Sequence, residues 1–496
     1  MTLSKGSRAS RGAGAILLSL ILALAYSLFI YYFNTPIGPS IGSDNAMYLT
    51  MGTAIAEGWA PYRDIFDHKG PLLFLLQGAA QLFGGGYSTL SIFVMEVLFL
   101  FACLRLCAMI ARETGAPQLA VQLVYLALTA NITGGGNLSE EYTNLFTLVG
   151  VLCALRVFDR ACRTDGWRLL LQAAVMGAMA ALCFLTRANN ALPLCAMTLV
   201  LAAGLLIGKD YAQLGLCAGG FVLGLAAAAL PIVLWLAHHG VIADAIYGAI
   251  THNLMYAETG GASRLHALLR TSYGHTAILI AAVACAGALT RIRKNPMLAL
   301  SMIAAAGAAG LAAFISHKFY QHYLMIGVPM AAAGAAMLLA ALKNAPRRVN
   351  QAAQALCALI CCAWLVVCCA QANGYRVRAR ADLDAFTEDA QALYALVPEE
   401  ERDSFMAYRV EPRWYAVTEA MPSMRFYFLQ EILAQSDPAV MDEIVETFHA
   451  EPPEWLVIYY NREFGPPYDA RVAELFEMQY EFVDSRGTYQ LRRLIH

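Results

Sequence analysis

The sequence is poor in charged residues, because Asp, Glu, Lys and Arg make up only 14% of its 496 positions. Ordinary soluble proteins carry about 25% charged residues, and disordered chains or nucleic-acid-binding proteins depend on abundant charge. These classes are therefore excluded. The sequence is instead rich in hydrophobic residues, which account for 59% of the chain. This composition predicts a helical protein that crosses a lipid bilayer several times.

Lysine and cysteine are both missing from the last quarter of the chain. Residues 373–496 contain 12 arginines and 23 acidic residues, whereas residues 1–372 contain 22 basic residues, 13 acidic residues and all 13 cysteines. The contrast predicts two domains: a multi-span membrane domain, 1–372, and a soluble domain, 373–496. Without cysteine, the second domain must be held by its hydrophobic core and not by disulfides.

Long apolar runs predict about eleven transmembrane helices, since a span needs roughly 20 such residues. The runs cover residues 13–33, 88–111, 116–133, 144–163, 168–187, 189–208, 211–237, 273–291, 296–316, 322–342 and 350–371. A further apolar run, 71–83, is too short to cross the bilayer. It predicts a re-entrant or interfacial helix.

The orientation follows from the positions of the cations. With a cytoplasmic N-terminus, sixteen of the 22 cations of residues 1–372, among them Arg160 and Arg163, lie at cytoplasmic ends of helices, as the positive-inside rule requires. An odd number of spans then sends residues 373–496 to the outer side of the cell membrane. One span more or fewer would leave this domain in the cytoplasm.

The soluble part combines helical and strand patterns. Residues 382–396 and 440–449 have a helical pattern, whereas 455–460 forms a strand-like run and 480–483 with 488–491 reads as a hairpin. The pattern predicts a small α/β domain without a catalytic motif. Its aromatic residues are open to two interpretations, a hydrophobic core or a binding surface for a partner; they are Trp414, Tyr415, Phe426, Tyr427 and Phe428.

Two long outer loops, 34–71 and 238–272, carry an unusual population of charged residues. Long loops in a compact protein are usually functional, and charges beside the membrane line polar cavities. A merely solvated loop surface is the alternative. Asp44 follows Ser43 at the start of a predicted amphipathic helix, where the helix dipole favours its ionised form. Lys69 precedes Pro71, a good first residue of a helix, and lies at a position suited to phosphate.

At this point the sequence resembles a known family. The stretch GSDNAMYLTMGTAIAEGWAPYRDIFDHKGPLLFLLQGAAQLFG resembles the first outer loop of the GT-C glycosyltransferases. It is most similar to the bacterial branch with the protein O-mannosyltransferases and the lipid A aminoarabinose transferases. Weaker similarities are Glu140-Glu141, the stretch TRANN from Thr186, and the stretch KFYQHY from Lys318. The resemblance covers roughly residues 10–345 and implies a GT-C fold.

The resemblance also implies roles for particular residues. Asp44 would be the catalytic base. Lys69, Arg187 and Lys318 would bind the donor phosphate. The other candidate substrate-binding or second acidic residues are Glu140, Glu141, Asp67, His68, Tyr62, Arg63 and His322. The chain departs from the family at Gly70, where many relatives have a second proline, and this changes the turn rather than the chemistry.

Members of this family take a sugar from a polyprenyl-phosphate donor within the bilayer. The acceptor would be a hydroxyl of a lipid, a glycan or a protein, and the transfer would invert the anomeric carbon. Some members need a divalent cation and others do not. The spacing of the acidic and histidine residues carries no metal signature, so no cofactor is assigned and a divalent cation stays open.

Two other functions remain as alternatives. A transporter or flippase of lipid-linked sugars would explain the spans, although the sequence has no convincing internal repeat and its polar residues collect on one side, away from the midplane. A non-catalytic assembly protein would act through a partner of its outer domain. The net charge of residues 373–496 and their aromatic side chains are compatible with this second alternative.

Overall fold

The computed structural model describes residues 5–159, 165–258, 263–315, 318–460 and 469–496. Arg160 and Arg163, used above to predict orientation, lie outside these residues. The chain forms two compact units. The helical unit comprises Met1–Tyr32, Phe93–Leu234 and Gly261–Gly374, and the mixed unit comprises Phe33–Ile92, Trp235–Gly260 and Tyr375–His496.

Helices dominate the described chain up to residue 394. They are α1 (Lys5–Phe29), α2 (Ser43–Ala56), α3 (Pro71–Gly84), α4 (Thr89–Thr114), α5 (Gln118–Ala130), α6 (Ser139–Asp159), α7 (Gly166–Thr186), α8 (Leu192–Ile207), α9 (Tyr211–His238), α10 (Ile242–Ile246), α11 (Asn253–Glu258), α12 (Arg264–Arg270), α13 (Ser272–Leu289), α14 (Pro296–Phe314), α15 (Val328–Ala341) and α16 (Arg347–Tyr394). Short 3-10 or π turns precede α8, α11 and α15.

The remaining chain alternates short helices with strands. Its elements are β1 (Phe405–Tyr408), α17 (Arg413–Thr418), α18 (Gln430–Ser436), α19 (Ala439–Ala450), β2 (Trp455–Tyr459), α20 (Ala470–Gln479), β3 (Tyr480–Arg486) and β4 (Tyr489–Leu494). These elements confirm the predicted strand near 455–460, the predicted terminal hairpin and the predicted helix over 440–449.

Among the described residues, nine helices are long and apolar enough to cross a membrane. They are α1 from Gly12, α4, α7, α8 with its preceding turn, α9, α13, α14, α15 with its flanking turns, and α16. The chain is therefore a multi-pass helical membrane protein. The number eleven stays a prediction, since α5 has only 13 residues and α6 begins with two glutamates.

Within the helical unit, glycines permit close contacts between helices. A Cβ atom on Gly287 of α13 would collide with the backbone of Gly334 on α15, and one on Gly224 of α9 would collide with Ala174 on α7. Small residues at such crossings let two backbones approach closely, which is the usual packing device of membrane helices.

The mixed unit contains a four-stranded sheet in the order β1-β2-β4-β3. β1 pairs parallel with β2, while β4 is antiparallel to both β2 and β3. The aromatic residues that could have formed a binding surface are buried: Trp414, Tyr415, Phe426, Tyr427 and Phe428 are each at most 3% exposed. They belong to the core, so they do not favour the partner-binding alternative.

Two predicted helices differ from those observed. The amphipathic helix expected after Ser43 is present as α2, but it is buried continuously from Asn45 to Ala54. The last predicted span and the helix over 382–396 are one continuous helix, α16, of 48 residues. The unit boundary inside α16 falls between Gly374 and Tyr375, and the domain limits proposed from the sequence stay a prediction.

Candidate functional site

The loop before α3 is tightly folded inside the mixed unit. The amide of Ala60 donates to Asp64 Oδ2 at 2.7 Å, and the amide of Tyr62 donates to the carbonyl of Ile65 at 2.7 Å. Tyr62 has a φ of +70°, a conformation that a bulky residue adopts only when its surroundings hold it there. Its hydroxyl donates to the carbonyl of Lys69 at 2.7 Å, so the two ends of the loop are tied together.

Asp67 organises the end of this loop. Its carboxylate is 1% exposed and accepts the amide of Lys69 at 3.2 Å. Its Oδ1 lies 3.6 Å from Lys69 Nζ and 3.3 Å from His68 Nδ1. The ammonium group of Lys69 is itself 3.4 Å from His68 Nε2. A buried carboxylate thus fixes the position of a lysine one residue before the N-cap of α3.

Other parts of the mixed unit surround this lysine. The ring of Tyr48 on α2 lies 5.9 Å from Lys69 Nζ, and the rings of His252 and Tyr256 lie 5.9 and 5.1 Å from the ring of His68. The side-chain amide of Asn253 donates to the carbonyl of His68. Tyr48, Asn253 and Tyr256 were not predicted. The sequence signals were the length of loop 238–272 and its unusual number of charged residues.

Asp44 lies in the first turn of α2, as predicted, and is exposed.

Arg63 has a different environment from its loop neighbours. It donates to both carboxylate oxygens of Asp64 and to the carbonyl of His239 at 3.0 Å. The hydrogen bonds from Arg63 lower the pKa of Asp64. Arg63 is therefore engaged in holding two loops of the mixed unit, and this contact gives it a structural role beside the predicted one.

In the helical unit, Glu140 and Arg187 form an ion pair. Glu140 is 2% exposed in the first turn of α6, accepts the guanidinium of Arg187, and accepts the hydroxyl of Ser139 at 2.9 Å. Burial alone would raise the pKa of Glu140, but the charges of Arg187 and His322, together with the hydrogen bond from Ser139, outweigh burial and lower it. The guanidinium carbon of Arg187 lies 4.3 Å from the ring centre of Tyr323. Glu140 thus stays ionised.

The other candidates of the helical unit lie around this pair. Lys318 is half-buried between α14 and α15, and burial lowers its pKa to about 8. The ring of His322 lies 4.8 Å from that of Tyr323. Glu141 differs from Glu140, since it accepts the amide of Leu138 at 3.1 Å and burial raises its pKa to about 7. The two adjacent glutamates therefore have opposite protonation tendencies.

One residue of the C-terminal segment contacts the loop around Tyr62. Arg425 donates to the carbonyl of Tyr62 at 3.2 Å, and its own carbonyl accepts the amide of Phe66 at 2.9 Å. The guanidinium also pairs with Glu443 on α19. Sequence reasoning missed this contact. No local pattern links two residues that are 363 positions apart.

The resemblance left open whether the chain holds a divalent cation, which would need side-chain ligands. Among the described residues, no group of three or more His, Cys, Asp or Glu side chains is arranged to hold a metal ion. Zinc sites usually use three or four such ligands. A divalent ion held by one or two carboxylates and the donor phosphates would need no such group, and no step below depends on one.

The fold of this chain is similar to that of solved structures. No protein-family model and no curated protein sequence matches the chain. The structure is similar to ArnT from Cupriavidus metallidurans bound to undecaprenyl phosphate, with a TM-score of 0.65 and 12% identity over 97% of this chain and 98% of ArnT. ArnT in the apo state gives a TM-score of 0.58 and 13% identity, covering 98% of each chain.

A second transferase has a similar fold. The arabinofuranosyltransferase AftD from Mycobacteria gives a TM-score of 0.50 and 13% identity, over 96% of this chain but 40% of AftD. At these identities the comparisons establish the fold and not the activity. The chain shares the fold of these structures, which confirms the GT-C fold expected from the first-loop resemblance.

Proposed function

We propose that this GT-C-fold protein is a glycosyltransferase that moves a sugar from a polyprenyl-phosphate donor to an acceptor hydroxyl on the outer side of the membrane. The observation that carries the proposal is the fixed position of Lys69, whose ammonium group is held by buried Asp67 next to the start of α3. A compact cation beside a helix N-terminus is suited to a phosphate group. The similar fold of ArnT, described with undecaprenyl phosphate bound, supports the same donor class.

The proposed reaction is a single displacement. Asp44 accepts the proton of the acceptor hydroxyl, and the oxygen forms a bond to the anomeric carbon from the face opposite the phosphate. The bond between that carbon and the phosphate oxygen breaks, and its electron pair leaves with the polyprenyl phosphate. A positioned base contributes typically about 10²–10⁴-fold to such a rate. The leaving phosphate needs no proton because cations stabilise its charge.

The helical unit supplies the remaining proposed groups. Arg187 and Lys318 are proposed to stabilise donor phosphate charge, and Glu140 is proposed to orient Arg187 through their ion pair. His322, Glu141, Tyr62, Arg63 and His68 are proposed to shape the donor or acceptor sites. A bidentate guanidinium and a point-charge ammonium complement each other as phosphate ligands.

The decisive experiment replaces the proposed base. We expect Asp44→Asn to reduce sugar transfer from a polyprenyl-phosphate sugar by at least about 100-fold, the lower part of the range for a general base, without changing the thermal unfolding midpoint. Because Asp44 is exposed, the Asp44→Asn variant should fold normally. Asp484→Asn, a change of the same size on strand β3, serves as the control. Full activity of Asp44→Asn would refute the role of this residue as base.

The same experiment separates the transferase from the flippase alternative. Purified protein in detergent has no second leaflet to which a lipid can be flipped, so transfer of radiolabelled sugar to acceptor in detergent requires a transferase. Mass spectrometry of membrane lipids from cells with and without the protein identifies the donor, since a blocked transferase leaves its polyprenyl-phosphate sugar to accumulate. An unchanged lipid pool in expressing cells would contradict the proposal.

A further inference from the structure

A small cavity lies in the helical unit, apart from the Glu140–Arg187 ion pair. It has a volume of about 20 Å³ and is enclosed by α4, α5, the start of α6 and the residues that follow α1. This volume admits one water-sized occupant. Its oxygen-bearing walls include Glu96, Glu141, Asn144 and Tyr125.

Glu96 is an acidic residue in a transmembrane helix. It lies on α4, is 3% exposed, and its Oε1 accepts the amide of Asn137. Gly136 is packed against the same carboxylate, because a Cβ atom there would lie 2.5 Å from Glu96 Oε1. An acidic side chain within a membrane span is costly and usually marks a site for a proton or an ion.

Glu141 brings a second carboxylate to the same cavity. Its oxygens accept the amide of Leu138 and the hydroxyl of Thr133. Two carboxylates at one enclosed site repel each other unless one of them is protonated or a cation binds between them.

Asn144 gives an independent indication of an occupant. This residue on α6 is 1% exposed and lines the cavity. Its Nδ2 donates to the hydroxyl of Tyr125 at 3.3 Å, while its Oδ1 finds no hydrogen-bond partner within the described part of the chain. Buried carbonyl oxygens are almost always satisfied, so an orphaned one points to a missing ligand.

We propose that this cavity binds one sodium-sized monovalent cation through the carboxylates of Glu96 and Glu141 and the Oδ1 of Asn144. Oxygen ligands of this kind suit hard cations. A magnesium ion usually retains several water molecules, for which a cavity of about 20 Å³ has no room. The cation would offset one of the two carboxylate charges and join α4 to the first turns of α6.

The test measures ion-dependent stability of the purified full-length protein in detergent. Thermal unfolding is followed at pH 8 and constant ionic strength in sodium, potassium or N-methyl-D-glucamine chloride. A ligand that binds only the folded state raises the unfolding midpoint in a saturable manner. We expect sodium to raise the midpoint by a few degrees relative to N-methyl-D-glucamine. Equal midpoints in all three salts would overturn the proposal and indicate a shared proton or a water molecule.

Variants assign the effect to the cavity. Asn144→Ala and Glu96→Gln should abolish the difference between sodium and N-methyl-D-glucamine. Glu113→Gln is the matched control. Glu113 lies at the far end of α4 from Glu96, where it pairs with Arg156 on α6, so this variant should keep the full sodium response. A full sodium response in Asn144→Ala would contradict the site. If that variant does not fold, Asn144→Asp provides the same test, since a third carboxylate should lower the sodium concentration at half-effect.

Discussion

Asp67 and Lys69 show how a single buried carboxylate holds a lysine ammonium group in one position. The carboxylate holds the lysine through both the backbone amide and the ammonium group. Pre-organised charge costs less reorganisation when the substrate arrives. In the proposed function Asp67 is therefore a positioning residue, and its effect should be visible only through Lys69.

Removal of the Lys69 ammonium should act mainly on the donor. We expect Lys69→Ala to raise the KM for the polyprenyl-phosphate sugar by at least about tenfold, the equivalent of roughly 1.4 kcal/mol of lost interaction. The KM for the acceptor should change much less. Steady-state kinetics with each substrate varied in turn measure both values. Equal increases in the two KM values would argue against phosphate binding by Lys69.

Lys318 predicts a pH dependence of donor binding. Burial lowers the pKa of this lysine to about 8, so its ammonium charge is present below pH 8 and is lost as the pH rises further. Donor affinity should therefore fall above pH 8. In Lys318→Arg the fall should be absent, because a guanidinium stays charged at these pH values. Identical pH profiles of the donor KM in both proteins would exclude this role.

At the scale of secondary structure, the helices that carry or follow the candidate residues depend on one close crossing. α2 begins beside Asp44, and α3 begins directly after Lys69 and Gly70. A Cβ atom on Gly52 of α2 would lie 2.9 Å from the backbone carbonyl of Gln77 on α3. Backbone cannot move aside as easily as a flexible side chain. The close approach buries this part of α2 against α3.

A larger side chain at this crossing should disturb both helices. We expect Gly52→Val to lower the free energy of unfolding by about 1–3 kcal/mol, as overpacking typically does, and to reduce transfer activity as well. Gly58→Val is not a suitable comparison, because its φ is +94°. Gly12→Val is the control, since a Cβ atom there meets nothing within 4 Å. Unchanged stability in Gly52→Val would contradict the crossing.

Some of these elements were predicted correctly from the sequence, and others were not. The strand at Trp455 and the short helix after Gly70 were correctly predicted, because β-rich composition and a proline at a helix start are local signals. The burial of α2 was not, since its contacts come from α3. The continuity of α16 was also missed, because its composition changes from apolar to charged near Arg376 while its helix-forming residues continue.

At the scale of the whole molecule, the C-terminal segment belongs to the same compact unit as the loop around Tyr62. Its contacts within that unit give it a structural role. Arg425 binds the backbone on both sides of the loop around Tyr62, and Tyr427 donates to the carbonyl of Met47 on α2 at 3.1 Å. The segment therefore supports the loop that carries Lys69. Such long-range contacts have no counterpart in local sequence patterns, which is why this supporting role was not predicted from the sequence.

The predicted orientation can be tested by chemical labelling. Ser485 on β3 is exposed, and the predicted topology places it outside the cell membrane. A membrane-impermeant maleimide should label Ser485→Cys in intact cells. Lys209→Cys lies in a predicted cytoplasmic loop and should react only after lysis. The opposite labelling pattern would contradict the predicted orientation. It would also contradict the proposal that the acceptor lies on the outer side of the membrane.

The absence of lysine after Lys343 has a consequence for proteolysis. A lysine-specific endoprotease has no cleavage site in residues 344–496, a fragment that contains all of α16 and all four strands. Cleavage at exposed Lys343 would thus release the sheet together with an apolar helix in one polypeptide. That fragment would carry its own membrane anchor and remain with the lipid fraction, whereas arginine-specific cleavage has several sites to separate the two.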